Sequence, residues 1–209
     1  MPRPVLYVLA GVNGAGKSSI GGALLKQDGL DWYNPDTFAR EYRAATGCSQ
    51  EEANAVAWRE GMRRLDEAVT NRTHHAFETT LGGRTVADKI RDATRTHDVI
   101  IWFCGLASPE QHIRRVAARV ASGGHDIPHA KIRERYPRAL QNLIALMPHL
   151  ASVRVHDNSQ DVAPGEPVPD PVLVLEMTAG AMVFPDAADG RTLGRTPEWA
   201  KPIVEAAMV

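Results

Sequence analysis

"VLYVLAGVNGAGKSS", Val5 to Ser19, decides how the rest of the chain is read. Its first residues, Val5 to Ala10, form a continuous apolar run that Gly11 stops, the pattern of a strand buried on both faces of a parallel sheet. Gly11, Gly14, Gly16, Lys17 and Ser18 then fit the pattern G-x-x-x-x-G-K-[ST]. The fit falls between an expected strand and an expected helix running from Lys17 to about Gln27, which is the context this motif requires. Glycines let backbone N–H groups turn inward with no Cβ in the way. The helix start aims the positive end of its dipole at the same point. Gly11, Asn13, Gly14, Ala15, Gly16, Lys17, Ser18 and Ser19 are therefore read as a cradle for nucleotide phosphates. Lys17 reaches the β- and γ-phosphates there, and the Ser18 hydroxyl holds Mg²⁺.

Working outward, further strands are expected at "DWYN" (Asp31 to Asn34), "HHAFETT" (His74 to Thr80), "VIIWFCGLA" (Val99 to Ala107) and "SVRVHDNS" (Ser152 to Ser159). Helices are expected between them. Pro35 opens one that Gly47 ends. Ser49 with Glu52 gives a capping box for a long helix to about Asn71. "RTVADKIRDATRTH" follows Gly82-Gly83. Ser108 caps another, with Ile113, Val116, Ala117 and Val120 at helical spacing. The last runs from about His129 to Leu150, and Pro137 is expected to kink or split it. After the proline-rich connector "QDVAPGEPVPDP", the segment "VLVLEMTAGAMVF" reads as a hairpin turning at Ala179-Gly180. The tail from Pro197 reads as a short helix. This alternation predicts an α/β fold of the P-loop NTPase class: a five-stranded, mainly parallel sheet flanked by helices, with all strand C-terminal ends on one edge.

Composition narrows the class. A formal net charge of -1 provides no global field for nucleic acid or an acidic membrane. Two cysteines, Cys48 and Cys104, form neither a disulfide framework nor a zinc spacing, which fits a reducing, cytoplasmic setting. No run approaches the roughly 20 apolar residues of a membrane span, and the apolar run at the N-terminus is too short for a signal peptide.

A cradle alone does not separate switches, motors and kinases. Phosphoryl transfer also needs a base for the acceptor hydroxyl, a place for Mg²⁺ and cations over the γ-phosphate. Asp36, in "YNPDTF", is the candidate base. As a residue it reads equally well as an acid in the first turn of a helix, favoured by the dipole. Glu78, in "FETT", is the candidate for water-mediated Mg²⁺ contact or acceptor binding, or else an exposed strand-end acid. Thr80 is a candidate acceptor contact, or else a β-branched strand residue. Between His112 and Arg138 stand Arg114, Arg115, Arg119, Lys131, Arg133, Arg135 and Arg138. That makes a basic helix–loop–helix placed like the lid of a small-molecule kinase, and guanidinium forks suit phosphate oxygens. Some of these arginines read equally as a solvated basic face; Arg119, Arg133 and Arg135, nearest the Gly123-Gly124 break, are favoured for the site, with the glycines as a hinge and His125 as a phosphate contact or, by preference, a turn cap. Arg114 and Arg115 are adjacent and are not expected to reach one site. The expected organisation is a P-loop kinase-like domain over 1–159, its lid over 108–142, and a C-terminal extension over 160–209 packed on the same domain.

Taken together, "GVNGAGKSS", "NPDTFA", "FETTLGGR", "GLASPEQHIRRVAARVASGGHDIPHAKIRERYPRALQNL" and "VHDNS" resemble the zeta-toxin group of P-loop kinases. More closely, they resemble its compact bacterial branch of zeta-toxin-like or AAA-family ATPases, over about Val5 to Ser159. The resemblance implies ATP and Mg²⁺ at Lys17 and Ser18, Asp36 as base, Glu78 and Thr80 facing acceptor or metal, and Arg119 and Arg135 on the γ-phosphate. It implies UDP-N-acetylglucosamine as acceptor and, for a toxin, a separate antitoxin partner. The segment after Gln160 matches nothing in that group. Two other functions stand beside this one. The first is a kinase acting on an antibiotic or another metabolite. The second is a nucleotide-hydrolysing switch whose basic lid contacts a protein or nucleic acid. Tyr136 is the lone aromatic in the lid, too few for base stacking, which argues against nucleic acid.

Overall fold

The computed structural model describes residues 2–17, 32–162 and 169–209. Ser18, Ser19 and the helix expected after Lys17 lie outside the described residues. Strands β1 (Val5–Ala10), β2 (His75–Thr79), β3 (Asp98–Gly105) and β4 (Ser152–Asp157) pair in parallel. Strands β5 (Val172–Thr178) and β6 (Ala181–Phe184) complete one six-stranded sheet of order β2-β1-β3-β4-β5-β6. Helices among the described residues are α1 (Pro35–Thr46), α2 (Gln50–Asn71), α3 (Arg84–Ala93), α4 (Pro109–Ala121), α5 (His129–Leu146), α6 (Gly190–Leu193) and α7 (Lys201–Ala207).

The sheet differs from the expected one at both ends. Among the described residues of "DWYN", 32–34, the strand amounts to a single parallel bridge from Tyr33 to Phe77. Tyr33 donates to Ala76 O at 2.8 Å and accepts from Glu78 N at 2.9 Å. Extension stops there because Asn34 is already the N-cap of α1 and Pro35, its first residue, has no N–H for a ladder. At the other end, the C-terminal hairpin adds β5 and β6 antiparallel to β4. Its turn takes positive φ at both Ala179 (51°) and Gly180 (79°), the type I′ geometry that matches strand twist.

β1 carries buried residues on both faces, with Leu6, Val8, Leu9 and Ala10 all at most 2% exposed, whereas β3 buries Val99, Ile101 and Phe103 on one face and leaves Ile100 and Trp102 half-buried on the other. α3 packs Val86, Ala87, Ile90 and Ala93 onto the sheet, and α5 packs Ile132, Ala139, Leu143 and Leu146. Trp199, Ala200, Ile203 and Val204 of the C-terminal tail join the same core.

Local signals explain most helix boundaries. Ser49 and Glu52 exchange the reciprocal bonds of a capping box at the start of α2. Ser108 accepts from Gln111 N at the start of α4, with Pro109 in its first turn. One expectation needs correction: Pro137 does not split α5, which runs continuously through it. At the Gly123-Gly124 break, Gly124 N donates to Arg119 O and Gly123 N to Val120 O, both at 2.9 Å, with Gly123 at φ 91°. That pairing closes α4 in a Schellman motif.

Candidate active site

The parallel strands end on one edge, and the loops leaving them build the site. From β1 comes the glycine loop, with Gly11, Gly14 and Gly16 at φ 141°, 85° and 89°. A Cβ on Gly11 would lie 2.2 Å from Cys104 O, and one on Gly14 would lie 3.0 Å from His112 O, so the loop lies tight on β3 and α4. Gly11 N bonds Thr79 O at 3.2 Å, fixing the loop's start to β2.

Lys17 is 9% exposed, with Nζ 3.4 Å from Oε1 of Glu78, itself 8% exposed. Glu78 is the next-to-last residue of β2, beside the Tyr33 bridge, so Asn34 lies next to it. Asn34 Nδ2 donates to Glu78 Oε2 at 2.9 Å, while Asn34 Oδ1 accepts from Asp36 N (2.9 Å) and Thr37 N (3.1 Å). One amide therefore caps α1, aims Asp36 and holds Glu78. Its signal in the sequence is an N-cap residue directly before Pro-Asp. Trp58, half-exposed on α2, faces the same cleft, and nothing in the sequence distinguished it from an ordinary surface residue.

Asp36 does stand in the first turn of a helix, where the dipole favours it, and it also stands in the site. Arg119 Nη1 and His125 Nε2 each lie 3.8 Å from its carboxylate. His125 is thus brought to the site rather than only to a turn. Arg119 bonds His125 O at 3.2 Å, while its buried Nε has no partner among the described residues. Arg135 reaches across to Asn13 Oδ1 at 2.8 Å, and Gly82 makes room for it: a Cβ there would lie 2.7 Å from Arg135 Cγ.

Lys131 and Arg138 line the cleft with Arg135, while three other basic residues of this stretch are drawn elsewhere. Arg133 pairs with Glu110 at 3.2 Å on the surface, away from the site. Arg114 (3.6 Å) and Arg115 (3.1 Å) both reach Asp161, so the adjacent pair converges on one carboxylate after all. The inner face of α4 is also less apolar than its spacing suggested. Ala117 is exposed, whereas Gln111 and His112 are buried. Gln111 binds Ser159 O and Asp161, and His112 Nδ1 binds Asn13 O at 2.9 Å.

Asp36 lines two clefts. One, of about 400 Å³, is walled by Tyr33, Trp58, Met62, Phe77 and Val86 and carries Asn13, Glu78, Thr80 and Arg135. The other, about 960 Å³, opens between α1 and the end of α4 and carries Arg40, Arg43 and Arg119. Asp36 and His125 line both. A buried lysine at a glycine loop, a carboxylate flanked by an arginine and a histidine and a cleft beside them are the parts that phosphoryl transfer to a hydroxyl requires.

The Zeta toxin family model matches residues 1–163. The chain belongs to the zeta toxin family. It is a P-loop kinase, a phosphotransferase with a hydroxyl acceptor. A shikimate kinase of Thiobacillus denitrificans (strain ATCC 25259 / T1) is 32% identical over 173 residues, 77% of this chain and 85% of that protein. Two solved structures share the fold. The AvrRxo1-ORF1:AvrRxo1-ORF2 structure with sulphate ions is 18% identical with a TM-score of 0.64, covering 94% of this chain and 64% of that one. The PezAT chromosomal toxin–antitoxin system of Streptococcus pneumoniae is 14% identical with a TM-score of 0.56, covering 75% of this chain and 68% of that one. No helix among the described residues is long and apolar enough to cross a membrane.

Proposed function

We propose that this zeta-toxin family kinase transfers the γ-phosphate of ATP to a hydroxyl of a small acceptor seated beside Asp36. The observation that carries the reading is the place of Asp36: in the wall of the 400 Å³ cleft that also holds Glu78 and Thr80, 3.8 Å from Arg119. The glycine loop and Lys17 hold the triphosphate, and the Arg119 guanidinium, beside Asp36 in the cleft wall, offers its fork to a phosphate oxygen. Asp36 takes the acceptor's proton as the new O–P bond forms and the bond to ADP breaks. Arg119 and Arg135 offset charge on the transferring group. Mg²⁺, when bound, neutralises the phosphates. Ser18 and a water on Glu78 would hold it, few protein ligands being usual for this ion.

UDP-N-acetylglucosamine is the first acceptor to test. Asp36 lines both clefts, which suits a two-part molecule with an anionic arm along Arg40 and Arg43. A smaller hydroxy acid is the second reading. The shikimate kinase relative favours it, as does a cleft whose lining includes Lys131, Arg135 and Arg138 and whose size lies near the lower end for drug-sized ligands. A separate antitoxin fits a toxin role, since the PezAT structure is of a toxin–antitoxin system.

Incubation with ATP, Mg²⁺ and each acceptor, read by mass spectrometry, should show one added phosphate on one of them. Asp36→Asn should lower that rate by roughly 10²–10⁴ with ATP affinity near wild type. Transfer at the normal rate by the variant would remove Asp36 as base. ATP loss unaffected by any acceptor would leave a hydrolysing switch.

A further inference from the structure

The glycine loop turns two of its carbonyls toward the protein, and a side chain from a different element meets each. Asn13 O accepts from His112 Nδ1 of α4 at 2.9 Å. Ala15 O accepts from Cys104 Sγ of β3 at 3.0 Å and from Asn158 Nδ2, just past β4, at 2.9 Å. All three donors are buried, His112 at 1%, Cys104 at 5% and Asn158 at 8% exposure. None of them is among the residues the phosphate motif contains.

A trans peptide is planar, and its C=O and N–H point in opposite directions. Fixing Asn13 O toward α4 therefore fixes the N–H of Gly14 away from it. Fixing Ala15 O toward β3 and β4 does the same for the N–H of Gly16. These N–H groups belong to the motif's own glycines, which have no Cβ to resist a peptide flip. Glycine gives the loop the freedom to form the cradle and equally the freedom to lose it.

We propose that His112, Cys104 and Asn158 are positioning residues for nucleotide. They hold the carbonyls of Asn13 and Ala15 outward, so that the N–H groups of Gly14 and Gly16 stand ready for phosphate oxygens. The inference rests on the reading of the loop as an ATP site. Protonation states suit the role. Burial pushes His112 down from 6.5 to about 4, so the ring is neutral, and an Nδ1 facing a carbonyl must carry the proton. Burial pushes the Cys104 thiol up to about 12, so it keeps the S–H it donates. The arrangement gives Asn158, in the "VHDNS" stretch, a task at the phosphates.

Binding of ATP and of AMP, which lacks the β- and γ-phosphates, separates this role from general packing when both are measured by calorimetry on the full chain. His112→Phe keeps a ring against Tyr136 but loses the donor. It should weaken ATP roughly tenfold and leave AMP unchanged. Cys104→Ala with Asn158→Ala, which empties the Ala15 carbonyl of both donors, should do the same. Cys104→Ser and His112→Asn, which keep a donor in place, should bind ATP within about twofold of wild type. The double variant carries the test if His112→Phe does not fold. Wild-type ATP affinity in the donor-free variants, or equal weakening of ATP and AMP, overturns the proposal while leaving the nucleotide site intact. A wild-type chain that binds no ATP overturns the nucleotide reading itself.

Discussion

His112 sits buried on α4 with its ring on the Asn13 carbonyl, and burial lowers its pKa from 6.5 to about 4, with Lys17 and Arg115 nearby adding to the effect. In the unfolded chain the same ring takes its proton near 6.5. Between those two values the unfolded state binds more protons, so stability rises with pH through the window. The contribution is complete above about pH 6.5 and is lost as pH falls toward about 4, amounting to about 3 kcal/mol in all. His75 and His156 are also pushed down by burial and act in the same direction. They cancel in a comparison of wild type with His112→Phe. Urea unfolding at about pH 7.5 and about pH 4.5 should move the stability difference about 2–3 kcal/mol in favour of the variant in acid. A difference that does not change with pH would mean that this ring titrates normally. At this scale the sequence showed residues whose type alone carries the chemistry: the glycines, Lys17 and Asp36. It did not show His112, Gln111, Asn34 or Trp58. Their partners are loop carbonyls, a carboxylate and a cleft wall supplied by distant segments, as with His112 and Asn13, 99 residues apart.

Elements were legible where one segment holds the whole signal. The capping box at Ser49, the Ser108 cap and the glycine that ends α1 are complete within a few residues, and each appears where the sequence placed it. The hairpin turn was legible for the same reason, but its residues are not the best for it. Ala179 adopts φ 51°, in the left-handed region where a Cβ crowds the backbone, and its side chain is exposed. Asn tolerates that region, and Asn-Gly is the preferred I′ pair. Ala179→Asn should therefore raise stability by about 0.5–1 kcal/mol with activity unchanged, read as a shift of the urea midpoint at constant slope. An unchanged or lower midpoint would mean the turn is not held in this form. What one segment cannot show is its pairing. "DWYN" has strand composition, yet its ladder ends after Tyr33 because α1 begins at once. Gly123-Gly124 reads as a hinge from composition, and composition does not show that it also stops α4 through bonds back to Arg119 and Val120.

At the scale of the whole molecule, the family match ends at residue 163, but the folded unit does not. β5 pairs along the full length of β4, and Trp199, Ala200, Ile203 and Val204 fill the main core, with Ala200 and Ile203 wholly buried. Trp199 packs on the end of β3, where a Cβ on Gly105 would lie 2.2 Å from its ring, and its indole N–H donates to Asp157 at 3.0 Å. Asp157 in turn accepts from Ser159, whose carbonyl takes Gln111 of α4. The tail thus supports the loop that carries Asn158 at the phosphate cradle. A chain ended after Val162 would leave β4 as an open edge and strip apolar cover from the sheet, so it should not give a soluble, cooperatively unfolding protein. Trp199→Ala should cost about 3–5 kcal/mol. Gly105→Ala, by forcing its methyl into the indole, should also destabilise. The two changes combined should cost clearly less than their sum, because removing the ring removes the clash. Additive losses, or a truncated chain that unfolds cooperatively at the wild-type midpoint, would make the tail an appendage rather than a wall of the catalytic unit.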